Sequence, residues 1–101
     1  MSYLKEYNIT DEEIENIKKV LEAAEVNIDI FLYNKEKIKT ILDLFRNIGV
    51  TNLYEVIITN PYMFYDTIRS IETKINGYKD KYELARLINE DPNNLEIIHL
   101  C

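Results

Sequence analysis

Glycine and proline are scarce in this sequence, with only two of each among 101 residues. Turn-rich β structures use both at many positions, because glycine adopts positive φ and proline presets the backbone of turns. Their scarcity argues against such structures and favours an all-α fold. The length is close to the common size of one domain, so we expect residues 1–101 to form a single domain.

Cysteine occurs once, as the final residue Cys101, so an intramolecular disulfide is excluded and a reducing compartment is indicated. The only histidine, His99, lies two residues away, but a Cys-His nucleophile needs a rigid pocket and an orienting third group. The sequence has no metal-ligand spacing of cysteine, histidine and carboxylate and no glycine-rich phosphate loop. We therefore expect no enzyme, metal or cofactor, and only intermolecular oxidation of Cys101 in vitro.

Long apolar runs are also missing, since no stretch approaches the roughly 20 residues that a membrane-spanning helix needs. The first residues, MSYLKEYNITDEE, lack the apolar segment of a signal peptide and are too acidic for a transit peptide. These features predict a cytoplasmic protein that does not enter a membrane. The formal net charge of −6 disfavours non-specific binding to phosphate backbones.

Charge is unevenly distributed along the chain. Residues 1–33 hold eight acidic and three basic residues, whereas residues 34–78 hold five acidic and six basic residues. In the first third, Glu15, Glu22 and Glu25 add acidity beyond what helix capping explains, which suggests a nucleic-acid mimic or a docking surface for a basic partner. In the middle third, the basic residues form either a strip that contacts phosphates or ordinary solvated side chains. The members of that strip are Lys35, Lys39, Arg46, Arg69 and Lys74.

The first helix signal is a capping box formed by Thr10 and Glu13. Apolar residues at three- and four-residue spacing follow it, which predicts a helix over residues 10–25. Residues 26–33 break this period. We expect them to form a buried connector.

Further capping signals follow. Asn34 is placed to cap a helix that ends before Gly49, because glycine adopts positive φ at the end of a helix without steric cost. Residues 51–59 predict a short helix. Asp80 and Glu83 form a second capping box, which begins another helix.

Two Asx-Pro steps, Asn60-Pro61 and Asp91-Pro92, lie 31 residues apart. Each has the form of an N-cap followed by proline at the first helical position. The first predicts a helix over residues 61–76, and the second predicts a short final helix. Periods of this length are typical of stacked helical repeats. We predict an all-α, right-handed stack of helical hairpins with about six helices and a repeat of roughly 30 residues.

The segment ILDLFRNIGVTNLYEVIITNPYMFYDTIRSIETKI, residues 41–75, resembles a repeat of the mitochondrial transcription termination factor (mTERF) family. A helix ends in NIGV, a capped short helix follows, NPYMF forms the corner, and an apolar-striped helix closes the unit. The pattern recurs loosely in residues 75–98. The resemblance implies a curved helical solenoid that binds nucleic acid along a basic concave surface.

Three aromatic residues, Tyr62, Phe64 and Tyr65, follow the first Asx-Pro step. They are either a stacking platform for bases or the seam between two packed helices. Phe64 lies on the apolar stripe of its predicted helix and belongs to the core. Because basic neighbours are few, we favour the seam and expect Tyr62 and Tyr65 to face an adjoining helix with their hydroxyls outward.

These observations together predict a small, acidic, non-enzymatic binding module. Its acidity favours a protein partner or self-association, through an exposed apolar patch in residues 27–33 or at Tyr62 and Tyr65. The alternative is an mTERF-like nucleic-acid-binding protein that uses a basic face in residues 34–78.

Overall fold

The computed structural model describes residues 1–100, and all of its regular structure is helical. No strand occurs in that part of the chain, so the all-α prediction is confirmed there. The six α-helices are α1 (Asp11–Ala23), α2 (Asp29–Tyr33), α3 (Lys35–Ile48), α4 (Leu53–Thr59), α5 (Ile68–Asn76) and α6 (Lys81–Glu90). The three 3-10 helices span Ser2–Tyr7, Pro61–Tyr65 and Pro92–Ile98.

The core is one cluster of buried apolar side chains to which all nine helical elements contribute. Phe31, Phe45 and Phe64 are among its largest fully buried members. The rings of Phe31 and Phe64 pack with centroids 5.0 Å apart at an interplanar angle of 60°, a tilted arrangement that aromatic pairs prefer. This contact joins α2 to the 3-10 helix at the first Asx-Pro step.

The predicted capping box begins α1. Thr10 Oγ1 accepts a hydrogen bond from the Glu13 backbone N–H at 3.1 Å, and Glu13 Oε1 accepts one from the Thr10 backbone N–H at 2.9 Å. Each bond satisfies a donor that the helix itself leaves unpaired. This prediction is confirmed.

The same backbone motif ends α1, α3 and the last 3-10 helix. A residue at positive φ follows each helix, and the next residue donates its N–H to the carbonyl five positions earlier. This is the Schellman geometry, which pairs carbonyls at the helix end. In this motif the residues at positive φ are Glu25 (58°), Gly49 (110°) and His99 (62°).

Two sequence predictions about capping are only partly right. Asn34 and Asn60 precede helices as expected, but neither side chain caps its helix. Asp80 does cap α6, because its Oδ1 accepts from two backbone N–H groups at 3.1 Å. The Glu83 carboxylate binds Arg86 instead of completing the box.

The predicted continuous helix over residues 61–76 is wrong. The 3-10 helix Pro61–Tyr65 ends at Asp66, where the backbone becomes extended through Thr67. Thr67 Oγ1 accepts a hydrogen bond from the Ser70 N–H at 3.0 Å and thereby begins α5. A threonine N-cap therefore overrides the apolar stripe that suggested one helix.

The prediction of a buried connector over residues 26–33 is also wrong in part. Its second half is the helix α2, begun by a hydrogen bond from the Asp29 N–H to Asn27 Oδ1 at 2.9 Å. Phe31 is buried, whereas Leu32 and Tyr33 are exposed. A helix of five residues leaves too short a periodic pattern to be recognised from the sequence.

Asparagine side chains join the two halves of the fold. Asn89 donates to the Gly49 carbonyl at 3.0 Å and accepts from the Thr51 N–H at 2.9 Å, so it spans the turn between α3 and α4. Asn60, buried, donates to the Pro92 carbonyl at 3.2 Å. The two Asx-Pro steps noted in the sequence are therefore in direct contact.

Replacing Glu25 with glycine is expected to stabilise the protein. Glu25 has a φ of 58°, which is strained for a residue with a Cβ atom. We expect Glu25→Gly to raise the free energy of unfolding by about 0.5–1 kcal/mol in urea denaturation, because the relief of strain exceeds the added flexibility of the unfolded chain. The control Glu22→Gly, inside α1, should lower it by about 1 kcal/mol. A loss of stability in both variants would contradict the prediction.

Candidate functional site

A shallow hollow of about 430 Å³ lies where the 3-10 helix Pro61–Tyr65 meets the end of the last 3-10 helix. Its walls combine apolar, aromatic and polar side chains. The lining residues are Thr59, Asn60, Tyr62, Met63, Tyr65, Asp66, His99 and Leu100. The hollow brings together residues that follow the two Asx-Pro steps, far apart in sequence.

Tyr62 and Tyr65 form one rim of this hollow. The Tyr62 hydroxyl donates to the Ala24 carbonyl, and the Tyr65 hydroxyl accepts from the Asn27 N–H at 3.0 Å. Their hydroxyls therefore bind the segment between α1 and α2 instead of pointing into solvent as expected. Their side chains nevertheless stay 59% and 51% exposed, so apolar surface remains available beside the seam.

Other tyrosine hydroxyls also join distant segments. Tyr3 donates to the Phe31 carbonyl, and Tyr54 accepts from the Asn16 side chain. The Tyr7 hydroxyl oxygen lies 3.1 Å from the Lys39 carbonyl oxygen and 3.0 Å from an Asp43 carboxylate oxygen, so its single proton is shared between these two acceptors. These bonds span 28 to 38 residues of sequence, so these tyrosines act as cross-links between short elements.

Two tyrosines are more exposed than the other six. Tyr33 on α2 is 78% exposed and Tyr82 on α6 is 84% exposed. Neither hydroxyl has a hydrogen-bond partner within residues 1–100. The sequence analysis included Tyr33 only within the candidate apolar patch of residues 27–33 and did not select Tyr82. Tyr82 lies off the apolar stripe of its helix, and that position was the signal for an exposed ring.

Three of the five candidate phosphate contacts are engaged in internal ion pairs. Lys39 Nζ lies 2.9 Å from Glu6, Arg46 lies 2.9 Å from Asp43, and Lys74 Nζ lies 3.1 Å from Asp66. The remaining two, Lys35 and Arg69, are exposed and make no ion pair with any residue from 1 to 100.

Arg46 and Tyr7 hold the N-terminal 3-10 helix Ser2–Tyr7 against α3. The guanidinium carbon of Arg46 lies 4.6 Å from the centre of the Tyr7 ring, a cation–π geometry. Burial, reinforced by the hydrogen bond to Asp43, raises the pKa of Tyr7 to about 12. A hydrogen bond to Glu6 raises the pKa of Lys39. These side chains therefore have a structural task in the folded chain.

Lys74 performs a similar task for Asp66 and His99, which line the hollow. Its ammonium donates to Asp66 at 3.1 Å and to the His99 carbonyl at 3.2 Å, so it joins α5 to the end of the last 3-10 helix. Burial alone would raise the pKa of Asp66, but hydrogen bonds from Lys74, Ser70 and the Thr67 backbone hold it below its usual value. Asp66 is thus a charged anchor, unsuited to donating a proton near neutral pH.

The three candidate acidic residues have different surroundings. Glu15 pairs with Lys18 at 3.0 Å on α1. Glu22 and Glu25 are exposed and make no ion pair with any residue that the structure describes. Glu25 also occupies the strained position that ends α1. Two unpaired carboxylates therefore stand beside the start of α2.

A shared metal site would need histidine, cysteine or carboxylate side chains that lie close together within residues 1–100. No group of three histidine, cysteine or carboxylate side chains is placed there to hold a metal ion. His99 is exposed, and Cys101, its predicted neighbour, lies outside the described residues. Within the same range, no helix has both the length and the apolar character that crossing a bilayer requires.

Comparison with known proteins finds no matching family model, curated protein or solved structure. The resemblance to mTERF repeats in residues 41–75 and 75–98 therefore stays a prediction.

Removing the tyrosine hydroxyls at the hollow should destabilise the fold. Because each pairs with a backbone group, we expect Tyr62→Phe and Tyr65→Phe to lower the free energy of unfolding by about 0.5–1.5 kcal/mol each, measured by urea denaturation. The matched controls Tyr33→Phe and Tyr82→Phe remove unpaired hydroxyls and should leave stability unchanged. Equal effects in all four variants would show that these hydroxyl contacts contribute nothing.

The Tyr7 contact should make stability fall at alkaline pH. Its folded-state pKa of about 12 lies above the ordinary value of 10.0, so its contribution is complete below pH 10 and is lost as the pH rises through 12. We expect the free energy of unfolding to fall more steeply over this window in the wild type than in Tyr7→Phe. The control Tyr82→Phe should keep the wild-type slope. Parallel profiles for Tyr7→Phe and the wild type would rule out the contact.

Proposed function

We propose that this chain is a non-enzymatic helical binding module whose partner is a protein. The observation that carries the proposal is the pair of exposed tyrosines, Tyr33 and Tyr82, whose hydroxyls have no hydrogen-bond partner within residues 1–100. Tyrosine is enriched among the residues that dominate binding energy at protein interfaces, because its ring offers large contact area with few rotatable bonds. An exposed ring without an internal role is a ready contact for another protein.

The hollow at the first Asx-Pro step provides a second contact region. Tyr62 and Tyr65 are held by their hydroxyls, so their exposed ring surfaces need little further ordering when a partner binds. The candidate acidic contacts Glu15, Glu22 and Glu25 favour a partner with a basic surface, since complementary charge steers association. The module is thus expected to combine rigid aromatic contacts with acidic ones.

The alternative function is nucleic-acid binding of the mTERF type. The observation in its favour is that Lys35 and Arg69 are exposed and unpaired in the described chain. The other candidate contacts, Lys39, Arg46 and Lys74, would have to leave carboxylate partners before they neutralised phosphates. This requirement, together with the net charge of −6, places nucleic acid second.

The arrangement of the helices and the cellular location are also proposals. We infer a right-handed stack of helical hairpins with a repeat of roughly 30 residues, and we place the protein in the cytoplasm. The support for the repeat is that α4 and α6 are each followed by an Asx-Pro step and a 3-10 helix. The hydrogen bond from Asn60 to the Pro92 carbonyl joins the two equivalent steps.

A photoreactive side chain at the exposed tyrosines should capture the protein partner. We expect benzoyl-phenylalanine at position 33, 62 or 82 to crosslink to discrete protein bands in extract of the source cell, because these rings are exposed. The control places the same group at position 47, an exposed asparagine on α3 that lines none of the hollows at Tyr62 and Tyr82. Bands that appear at position 47 with equal yield, or no bands at all, would count against a protein-binding surface.

If the chain bound nucleic acid, the mTERF-like function would become preferred over the protein-binding one. Fluorescence anisotropy with labelled single- and double-stranded DNA and RNA should show no saturable binding at low salt. If binding occurs, weakens steeply with salt and is lost in Lys35→Glu with Arg69→Glu, the mTERF-like function replaces the protein-binding one. The charge-matched control is Lys79→Glu with Lys81→Glu, which changes two lysines outside the candidate strip.

A further inference from the structure

Asn76 and Gly77 form the only Asn-Gly pair in the sequence. Asn76 is the last residue of α5, Gly77 follows it, and both are exposed to solvent. In such a pair, the backbone nitrogen of the glycine can attack the side-chain carbonyl carbon of the asparagine. Glycine favours this attack because it has no Cβ atom to crowd its nitrogen and few limits on its backbone torsions.

The folded chain holds this pair in an unreactive conformation. The Gly77 N–H donates to the Thr73 carbonyl at 2.9 Å, so the attacking nitrogen is engaged in the hydrogen-bond pattern of the helix. Ring closure also requires the Asn76 Cβ and the Gly77 nitrogen to eclipse each other about the Cα–C bond, and a helical ψ keeps them apart. The reaction therefore waits until this turn opens.

The last turn of α5 has several reasons to open. Helix ends open at a lower free energy than the core of a protein, and α5 has only nine residues, a length at which an isolated helix is marginal. Gly77 has a φ of −72°, so it lacks the left-handed conformation with which Gly49 ends α3. We therefore expect Asn76 and Gly77 to leave the helix more often than the core elements unfold.

We propose that Asn76 is a site of spontaneous modification, where opening of the last turn of α5 lets asparagine convert to isoaspartate and aspartate. In the first step the Gly77 nitrogen loses its proton and bonds to the Asn76 Cγ. The Cγ–Nδ2 bond then breaks, and the amide nitrogen takes up a proton and leaves as ammonia. In the second step water opens the five-membered imide at either carbonyl, so both products form.

Isoaspartate at this position changes the backbone as well as the charge. The main chain then passes through the former side-chain carbonyl, which adds one methylene group and moves the Gly77 N–H out of register with the Thr73 carbonyl. A carboxylate also appears at the negative end of the helix dipole, where it is unfavourable. Lys74, which anchors Asp66, lies in the same turn. The modification is therefore expected to weaken that anchor.

Peptide mapping of the full chain by mass spectrometry, during incubation at mildly alkaline pH, measures the modified fraction at Asn76. Asn47 is a matched internal control, because it is exposed in the last turn of α3 but precedes Ile48, whose branched Cβ crowds the backbone. We expect isoaspartate to accumulate at position 76 and not at position 47. Unfolding the chain in urea should accelerate the reaction at position 76 by a factor of about 5–30.

Two variants at Thr73 test whether the turn controls the reaction. Thr73 is exposed and lies three residues before Asn76, so its side chain leaves the reacting groups unchanged. Thr73→Gly should react about fivefold faster than Thr73→Ala, because glycine weakens a helix relative to alanine by about that factor. The same pair of substitutions at Thr40, in α3, is the control and should leave the rate at Asn76 unchanged.

The effect on the fold is measured with Asn76→Gln, whose longer side chain cannot form the five-membered ring. After equal incubation, the wild type should unfold at a lower urea concentration than before, whereas Asn76→Gln should not change. An unchanged midpoint in extensively modified wild type would overturn the predicted weakening of α5.

Two other results would overturn the site or its control by the helix. Absence of isoaspartate at position 76 in the urea-unfolded chain would remove the site. Equal rates in the folded and unfolded chain, or equal effects of the Thr73 and Thr40 pairs, would remove control by the last turn of α5. None of these results involves a partner, so the protein-binding proposal is decided separately by its own crosslinking experiment.

Discussion

Short helices leave many backbone groups unpaired, and the fold depends on side chains that pair them. Each helix end has four N–H or C=O groups without an internal partner, and nine helical elements share 100 described residues. Asn89 bridges the turn between α3 and α4, Asn60 reaches the Pro92 carbonyl, and Tyr62 reaches the Ala24 carbonyl. Polar side chains thus fix how the elements sit around the apolar core.

The same constraint limits which residues remain for function. Lys39, Arg46 and Lys74 pair with carboxylates inside the molecule, and most tyrosine hydroxyls bind backbone or side-chain groups in distant segments. The groups without such a task include the exposed rings of Tyr33 and Tyr82 and the charged groups of Lys35 and Arg69. The functional proposals therefore follow from which groups the fold leaves unpaired.

Helix starts and ends were predictable where a local signal was sufficient. The Thr10 capping box, the positive φ of Gly49 and the cap at Asp80 depend on residues a few positions apart. The break after Tyr65 was missed because Asp66 and Thr67 interrupt an apolar stripe that continues on both sides. The candidate site was found only in part: Tyr62 and Tyr65 do line a hollow, whereas the internal ion pairs of Lys39, Arg46 and Lys74 could not be predicted from the sequence.

The sequence by itself determined the helical character of the chain, its main caps and much of its apolar core, because these depend on periodicity and on neighbours within one or two turns. Only the tertiary structure decided which polar groups were still unpaired. Partners such as Tyr7 and Asp43, or Asn60 and Pro92, lie more than 30 residues apart in sequence. No local pattern encodes such contacts, since they exist only once the short helices have packed together.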